Sequence, residues 1–164
     1  MISDKMQKAL NEQINKEFYS AYLYLGMAAY FQEANLGGFS RWMRLQAQEE
    51  QAHALKIFDY IFERRGSVKL QAIDLPPTKW SSPLAVFKEV FKHETVVTKS
   101  IHNLVELAAK ERDHAAVAFL QWFVNEQVEE ESNADEIVTK LEMACDAPGA
   151  LLMLDRELGK RGQD

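Results

Sequence analysis

Several features are scarce in this sequence, and each shortage excludes a class of protein. Cys145 is the one cysteine among 164 residues, which excludes an intrachain disulfide framework and a zinc or iron–sulfur site built from several thiolates. No run of about eighteen uncharged apolar residues is present to span a bilayer, and the first residues lack the apolar stretch of a signal peptide. We therefore expect a protein of a reducing compartment, most simply the cytoplasm, with no membrane partner.

Positive charge is also in short supply. The chain has 19 Lys and Arg residues against 25 Asp and Glu, a net charge of -6. This balance argues against nucleic acid or an anionic membrane as a general partner. The remaining composition, 47% hydrophobic and 27% charged, is typical of a globular protein. The length fits one domain, which we predict to span residues 1–164.

Glycine and proline number seven and four, and their positions divide the chain. The segments between them are rich in Ala, Leu, Glu, Gln and Lys, which favour helices. None of these segments alternates between apolar and polar residues with the period of a strand. They predict four long helices and a short fifth, at roughly 4–35, 39–65, 83–111, 114–145 and 147–159.

Three local patterns predict where helices begin. Ser82 followed by Pro83 indicates an N-cap and a proline in the first helical position. Asp113 is expected to cap the fourth helix, because an aspartate side chain accepts hydrogen bonds from free backbone N–H groups. The run 146–148, Asp-Ala-Pro, is a similar start for the last helix.

The lengths of the connections predict how the helices are arranged. The connections at Gly37-Gly38 and at 111–113 are short, so each should join antiparallel neighbours. The connection from Gly66 to Ser82 is long enough to run the length of a bundle, which would make the second and third helices parallel. The sequence therefore predicts an all-α protein, a four-helix bundle with a long crossover between helices two and three and a short fifth C-terminal helix.

Each long helix has an apolar stripe at spacings of three and four, and each stripe has a polar interruption near its midpoint. Because every interruption is central, the interruptions meet at one level whichever way the helices run. The interrupting residues are Glu17 in the first helix, Glu50 and His53 in the second, Glu94 in the third, and Gln127 and Glu130 in the fourth.

Four glutamates in an apolar core would each cost several kcal/mol if left unpaired, and no lysine or arginine lies in the stripes. Two divalent cations would balance their charge. Glu50-x-x-His53 places both side chains on one helical face, as two-metal sites in bundles require. Each piece alone is weak, since a surface acid or a hydrogen-bonded glutamine is common, but four coincident interruptions favour a dinuclear site. Oxygen-rich ligation without thiolate favours iron or manganese over structural zinc or calcium.

This set of residues, spread over nearly the whole chain, resembles the ferroxidase centre of ferritins, particularly the bacterial non-haem ferritins. The resemblance implies a ferritin-like bundle in which two iron ions bind per subunit. By position, it assigns Glu17, Glu50 and His53 to one iron, with Glu50 bridging to the second. It assigns Glu94 and Glu130 to the second iron, with Gln127 close by.

The resemblance also implies residues around the main centre. Glu49, Glu126 and Glu129 match a third iron position together with Glu130, although a solvated acidic face would give the same pattern. Tyr24, two turns from Glu17, matches the tyrosine that lies beside the centre in this family. Trp122 is a similar candidate, with packing as its alternative.

The function implied is iron storage with ferroxidase activity. Fe(II) would be oxidised with dioxygen or peroxide, and Fe(III) stored as a ferric oxyhydroxide mineral inside a hollow homo-oligomeric shell of 24 subunits, with the fifth helix near the four-fold axes. Gln127-x-x-Glu130 replaces a second Glu-x-x-His, so iron should be held less permanently. A di-iron oxidase or oxygenase, a haem-containing bacterioferritin and a metal-free structural bundle stay open as alternatives.

The remaining reactive side chains receive no role in the main centre. His93, His102 and His114 are expected at the surface or in packing, although His93, beside Glu94, could support that candidate ligand from outside. Cys145 is expected to act as a small apolar residue near a helix end.

Overall fold

A computed structural model describes residues 1–145 and 147–163, and the elements within these ranges are five α-helices with no β-strand. The predicted four-helix bundle with a short fifth helix is confirmed. The helices are α1 (Asp4–Glu33), α2 (Gly37–Glu63), α3 (Pro83–Lys110), α4 (His114–Ala144) and α5 (Pro148–Leu158).

Two of the predicted helix starts have the expected hydrogen bonds. Ser82 Oγ accepts from the backbone N–H of Ala85 at 3.1 Å, with Pro83 in the first helical position. Asp113 Oδ1 accepts from the N–H of Ala116 at 3.0 Å. The start of α5 has Pro148 in its first turn, as predicted, whereas residue 146 lies outside the described residues.

The glycine pair at 37–38 has a different role from the predicted connection. The turn lies before it, with Asn35 in the left-handed region at φ 58°, and α2 already begins at Gly37. A Cβ on Gly38 would lie 1.7 Å from the carbonyl oxygen of Asp155. The glycine therefore permits close packing of α5. Asp155 Oδ1 accepts from the N–H of Phe39 at 3.0 Å, and so caps α2 where the N-cap residue offers no side-chain bond.

The long connection between α2 and α3 runs along α1. Asn11 Nδ2 donates to the carbonyl of Ser67 at 3.1 Å, and Asn15 Nδ2 donates to the carbonyl of Ala72 at 3.0 Å. Further along α1, Gly26 lies under the carbonyl of Pro77, which a Cβ would approach to 3.2 Å. The crossover thus returns the chain to the end where α2 began. The second and third long helices are parallel, as predicted.

The buried side chains form two apolar cores at opposite ends of the bundle, and all four long helices contribute to both. The first core lies at the end that α5 covers and includes Met27, Phe31, Phe39, Met43, Phe87, Val90, Ile137 and Leu141. The second core includes Leu10, Ile14, Ala54, Ile57, Val97, Ile101, Leu120 and Phe123. Between the two cores, each helix contributes buried polar residues instead, and we call this level the polar layer.

The fifth helix packs on the first core through one face only. Leu154 and Leu158 are buried, whereas Leu152 and Met153 are 56% and 74% exposed. The apolar run 151–154 is therefore buried only in part within one chain. None of the helices in the described part of the chain is both long and apolar enough to cross a membrane.

Candidate metal centre

The polar layer contains all six residues predicted to interrupt the apolar stripes, and every one of them is buried. Their exposed fractions are 1% for Glu17, 2% for Glu50, 6% for His53, 1% for Glu94, 4% for Gln127 and 7% for Glu130. The structure therefore brings together, from four helices, the residues that the sequence placed at one level. Their role as iron ligands stays a prediction.

Two sets of these side chains have geometry suited to a metal ion. Glu17, Glu50 and His53 offer ligand atoms that all lie within 4.8 Å of one another. The same limit holds for Glu50, Glu94 and Glu130. Glu50 belongs to both sets, so the two cation positions would be adjacent and share one carboxylate. Glu50 is thus placed where it could bridge two cations, and its bridging role stays a prediction.

Buried amides hold the carboxylates in place. Gln13 Nε2 donates to Glu17 Oε1 at 2.8 Å. Gln46 Nε2 donates to Glu50 Oε1 at 3.0 Å and to Glu130 Oε2 at 2.8 Å, so it joins α2 to α4. Each bond engages one oxygen of a carboxylate, which leaves the other oxygen available to a cation.

Gln127 and Tyr24 orient the carboxylate of Glu94. Gln127 Nε2 donates to Glu94 Oε2 at 3.1 Å, and the Tyr24 hydroxyl donates to Glu94 Oε1. Burial and the nearby Glu94 carboxylate raise the pKa of Tyr24 well above its usual value. The phenol thus stays protonated and acts as a hydrogen-bond donor. Tyr24 lies beside the centre, where the sequence predicted it.

Burial makes the charged form of these carboxylates costly. It raises the pKa of Glu17 to about 8, with the Glu50 carboxylate adding to the effect. Burial, followed by the charge of Glu94, raises the pKa of Glu130 to about 7. Burial also raises the pKa of Glu50, well above its usual value, and that of Glu94. Without a cation, the layer therefore retains protons at neutral pH.

The donor set suits hard or borderline divalent cations. Within the described residues, the basic side chain that contacts these carboxylates is His53, whose Nδ1 lies 3.4 Å from Glu50 Oε2. Carboxylate oxygens with a single imidazole and no thiolate are ligands for iron or manganese. Two such cations would replace the retained protons and balance four carboxylates.

The three outer glutamates lie between this layer and solvent. Glu126 is half-buried and shares a set within 4.8 Å with His53 and Glu130. Glu129 is exposed. Glu49 is half-exposed and pairs with Arg161, whose Nη2 lies 2.5 Å from Glu49 Oε2. The structure thus brings Glu126 into a compact set, whereas Glu49 and Glu129 lie outside it.

The other residues considered from the sequence occupy different surroundings. Trp122 packs edge-on against His53, with ring centroids 5.4 Å apart, and is 37% exposed. His102 and His114 are exposed, as expected. Cys145 is also exposed and forms the C-cap of α4 at φ 45°, so it is not an apolar packing residue. The expected position near a helix end is confirmed, whereas the expected apolar packing is wrong within one chain, because the helix ends where the chain leaves the core.

His93 lies against the residues around the layer, as the alternative from the sequence allowed. Its Nε2 lies 2.7 Å from Ser20 Oγ, and its ring packs edge-on against Tyr24 at 6.1 Å between centroids. Burial lowers the pKa of His93 to about 4, so the ring is neutral. His93 therefore supports the tyrosine that contacts Glu94.

Sequence reasoning singled out neither Gln13 nor Gln46 as functional, although a signal was present. Each glutamine lies four residues before a candidate ligand, Glu17 or Glu50, and so on the same helical face. A glutamine one turn from a buried glutamate is positioned to bond its carboxylate. Ser20 and Ser100 gave no comparable signal, because their partners come from another helix.

The fold and this layer define a class: a helical bundle with a carboxylate-rich centre in its core. Comparison with known proteins places the chain in the same class. The family model described as a ferritin-like domain matches residues 7–144. A bacterial non-heme ferritin of Bacteroides fragilis (strain 638R) is 48% identical over 161 residues, covering 98% of this chain and 100% of that protein. One of Staphylococcus haemolyticus (strain JCSC1435) is 38% identical over 164 residues, covering 100% and 99%.

Solved structures give the same result. An open pore ferritin from the hyperthermophilic archaeon Archaeoglobus fulgidus superimposes with a TM-score of 0.98 at 57% identity, covering 98% of this chain and 99% of that chain. A form of the same ferritin engineered to be closed gives a TM-score of 0.97, also at 57% identity, covering 98% of each chain. The chain therefore belongs to the ferritin-like family, and it is an iron-storage protein.

Proposed function

We propose that the polar layer is a ferroxidase centre that oxidises Fe(II) before storage. The observation that carries this proposal is the pair of compact ligand sets that share Glu50. One Fe(II) would bind to Glu17, Glu50 and His53, and the second to Glu50, Glu94 and Glu130. Two ions held side by side can be oxidised together, which a single site does not permit.

The raised pKa values favour exchange of protons for iron. Glu17 and Glu130, with pKa values of about 8 and 7, release protons when Fe(II) binds at neutral pH. Each of the two Fe(II) ions then gives up one electron, and the pair of electrons with two protons reduces dioxygen to hydrogen peroxide. When peroxide is the oxidant, the same two electrons with two protons reduce it to two molecules of water.

Oxidation also supplies a reason for iron to leave. The two ions together gain two positive charges, while the four carboxylates still contribute only four negative charges. The single imidazole, His53, adds no further charge to hold them. Glu126 shares a compact set with His53 and Glu130, and the charge of Glu49 contributes to the raised pKa of Glu130. We infer that Glu49, Glu126 and Glu129 with Glu130 form the third iron position. Fe(III) would then pass to a ferric oxyhydroxide mineral.

Storage of a mineral requires an enclosed space, and we propose that the chain assembles into a homo-oligomeric shell of 24 copies. The exposed apolar side chains of one chain support assembly. Leu152 and Met153 on α5 are 56% and 74% exposed. Tyr22 and Leu25 on α1, at 46% and 48%, form a second uncovered region on a different helix.

Anaerobic loading followed by exposure to air tests the ferroxidase centre. We expect two Fe(II) ions to bind per subunit and to be oxidised rapidly, with a transient diferric absorbance. Glu50→Gln and Glu94→Gln should each slow oxidation more than about 100-fold, because even the loss of an outer partner costs 10–100-fold at metal sites. Glu106→Gln, the same change at an exposed position on α3, is the matched control.

Other results would contradict the proposal. If Glu50→Gln and Glu94→Gln oxidised Fe(II) as fast as the parent, the polar layer would not be the centre. A monomer or dimer by sizing would refute the shell and favour a di-iron oxidase with an organic substrate. A haem absorption band in the purified protein would indicate a bacterioferritin.

A further inference from the structure

A chain of three hydrogen bonds connects the surface of the bundle with Glu17. Lys16 Nζ donates to Ser100 Oγ at 2.7 Å, and Ser100 Oγ donates to Gln13 Oε1 at 2.6 Å. Gln13 Nε2 then donates to Glu17 Oε1 at 2.8 Å. Three of the four residues come from α1, and Ser100 comes from α3. The chain thus crosses between two helices before it returns to the centre.

The lysine sets the direction of the first bond in this chain. A protonated amine donates and cannot accept, so the oxygen of Ser100 accepts from Lys16 and its proton is free for Gln13. Gln13 accordingly turns its carbonyl oxygen towards Ser100 and its amide N–H towards Glu17. Once a bound cation has displaced the proton of Glu17, a reversed amide would leave two oxygens, those of Gln13 and Glu17, facing each other without a proton.

The residues that carry these hydrogen bonds to Glu17 are distinct from the candidate metal ligands. Gln13 and Ser100 are 1% and 9% exposed, so their amide and hydroxyl groups have little access to water. Lys16 is exposed and lies, with Ser100 and His93, on the wall of a cavity of about 440 Å³ between α1 and α3. Neither Lys16 nor Ser100 belongs to a compact ligand set. Their effect must therefore pass through Gln13.

We propose that Lys16 and Ser100 are positioning residues that set the orientation of the Gln13 amide and, through it, hold Glu17 ready for the cation. Gln13 engages Glu17 Oε1 and leaves the other carboxylate oxygen for the metal that Glu50 and His53 share. The inference rests on the proposed ferroxidase function, because it assigns a role at the same centre. It extends that centre from the buried ligands to an exposed lysine on α1.

Anaerobic titration with Co²⁺ tests the proposal, followed by calorimetry and by the visible absorption of the bound metal. The parent should bind two Co²⁺ per subunit. Ser100→Ala breaks the chain and should weaken one of the two binding steps about tenfold, the lower limit for outer partners of metal ligands. Lys16→Met should weaken the same step about threefold, since Ser100 can still donate to Gln13 but is no longer held in that direction.

Two matched variants separate positioning from simple loss of charge. Lys99→Met removes a positive charge from the wall of the same cavity without touching the chain, and should bind Co²⁺ as the parent does. Lys16→Arg keeps a donor and should restore the parental affinity. Thermal unfolding of each metal-free variant shows that it is folded before titration.

The outcomes discriminate between the two proposals. Parental Co²⁺ affinity in both Ser100→Ala and Lys16→Met would overturn the positioning role and leave the ferroxidase proposal intact. An equal loss in Lys99→Met and Lys16→Met would also overturn it, since the effect would then be long-range charge. A parent that binds no Co²⁺ in the polar layer would instead refute the centre itself.

Discussion

The two sides of the polar layer differ in how their acids are held. On the α1–α3 side, Glu17 and Glu94 are each 1% exposed and bonded by Gln13, Tyr24 or Gln127. On the α2–α4 side, beyond Glu50 and Glu130, the layer continues to three glutamates that approach solvent. The first side fixes the geometry of its two acids, whereas the second fixes Glu50 and Glu130 through Gln46 and adds outer glutamates that supply negative charge towards solvent. The same residue type thus serves two purposes, and its surroundings decide which.

The sharpest test of this comparison is the same substitution on both sides. Glu17→Gln should slow Fe(II) oxidation more than about 100-fold, because a fixed ligand is lost and even outer partners contribute 10–100-fold. Glu129→Gln should cost no more than a few-fold, because an exposed acid on a path is partly replaced by its neighbours. Stopped-flow absorbance at two Fe(II) per subunit compares them. Equal losses would erase the distinction between the two sides.

The buried acids also predict a pH dependence for the metal-free protein. The pKa values of Glu17 and Glu130 lie at about 8 and 7 in the folded chain, against 4.5 for the group in water. The stabilisation that these two groups provide is therefore fully present below about pH 4.5 and is lost as the pH rises to about 8, by several kcal/mol in total. The melting temperature should fall between pH 5.5 and 8.5.

A matched pair of variants checks the origin of that loss. Glu17→Gln cannot ionise at this position, so its melting temperature should vary less with pH than that of the parent. Glu129→Gln, on the exposed side, should follow the parental curve. A parental melting temperature that stays constant or rises over the same range would contradict the cost assigned to the buried charges.

The smallest effect is expected at the pair between Glu49 and Arg161. Arg161 also lies over the ring of Trp42, with its guanidinium carbon 4.5 Å from the centroid, so the C-terminal segment holds Glu49 from outside. Arg161→Gln should free this carboxylate and strengthen binding at the third iron position about two- to fivefold, the range for an exposed ion pair. Anaerobic titration with Fe(II) measures the affinity and the stoichiometry of this proposed third position. A weaker third position would show that Arg161 orients Glu49 instead of competing for it.

Much of the architecture follows from the sequence because it depends on local patterns. Helix starts at Ser82 and Asp113 are set by their own side chains, and the apolar stripes have one period in every helix. The glycine pair at 37–38 was placed in a connection because glycine often ends helices. Its actual requirement comes from Asp155, 116 residues away from Phe39 along the chain, and no local pattern carries that information.

In the candidate centre, too, some residues can be predicted from local sequence patterns and others cannot. Glu17, Glu50 and Glu94 could be found because a buried acid interrupts an apolar stripe and is visible without knowledge of its neighbours. The link between Ser100 and Gln13 could not be found, because a serine on a helix gives no sign of its partner. The candidate ligands are thus predictable from pattern, whereas the residues that orient them depend on tertiary packing.

The polar layer has one more consequence, for the alignment of the helices along the bundle axis. A slip of one helix by a single turn, about 5.4 Å, would move its glutamate out of the layer and into one of the two apolar cores. Each misplaced acid would cost several kcal/mol, whereas apolar side chains exchange neighbours more cheaply. The layer that we propose binds iron therefore also fixes the register of the four helices along the bundle axis. Their apolar stripes alone would permit several registers.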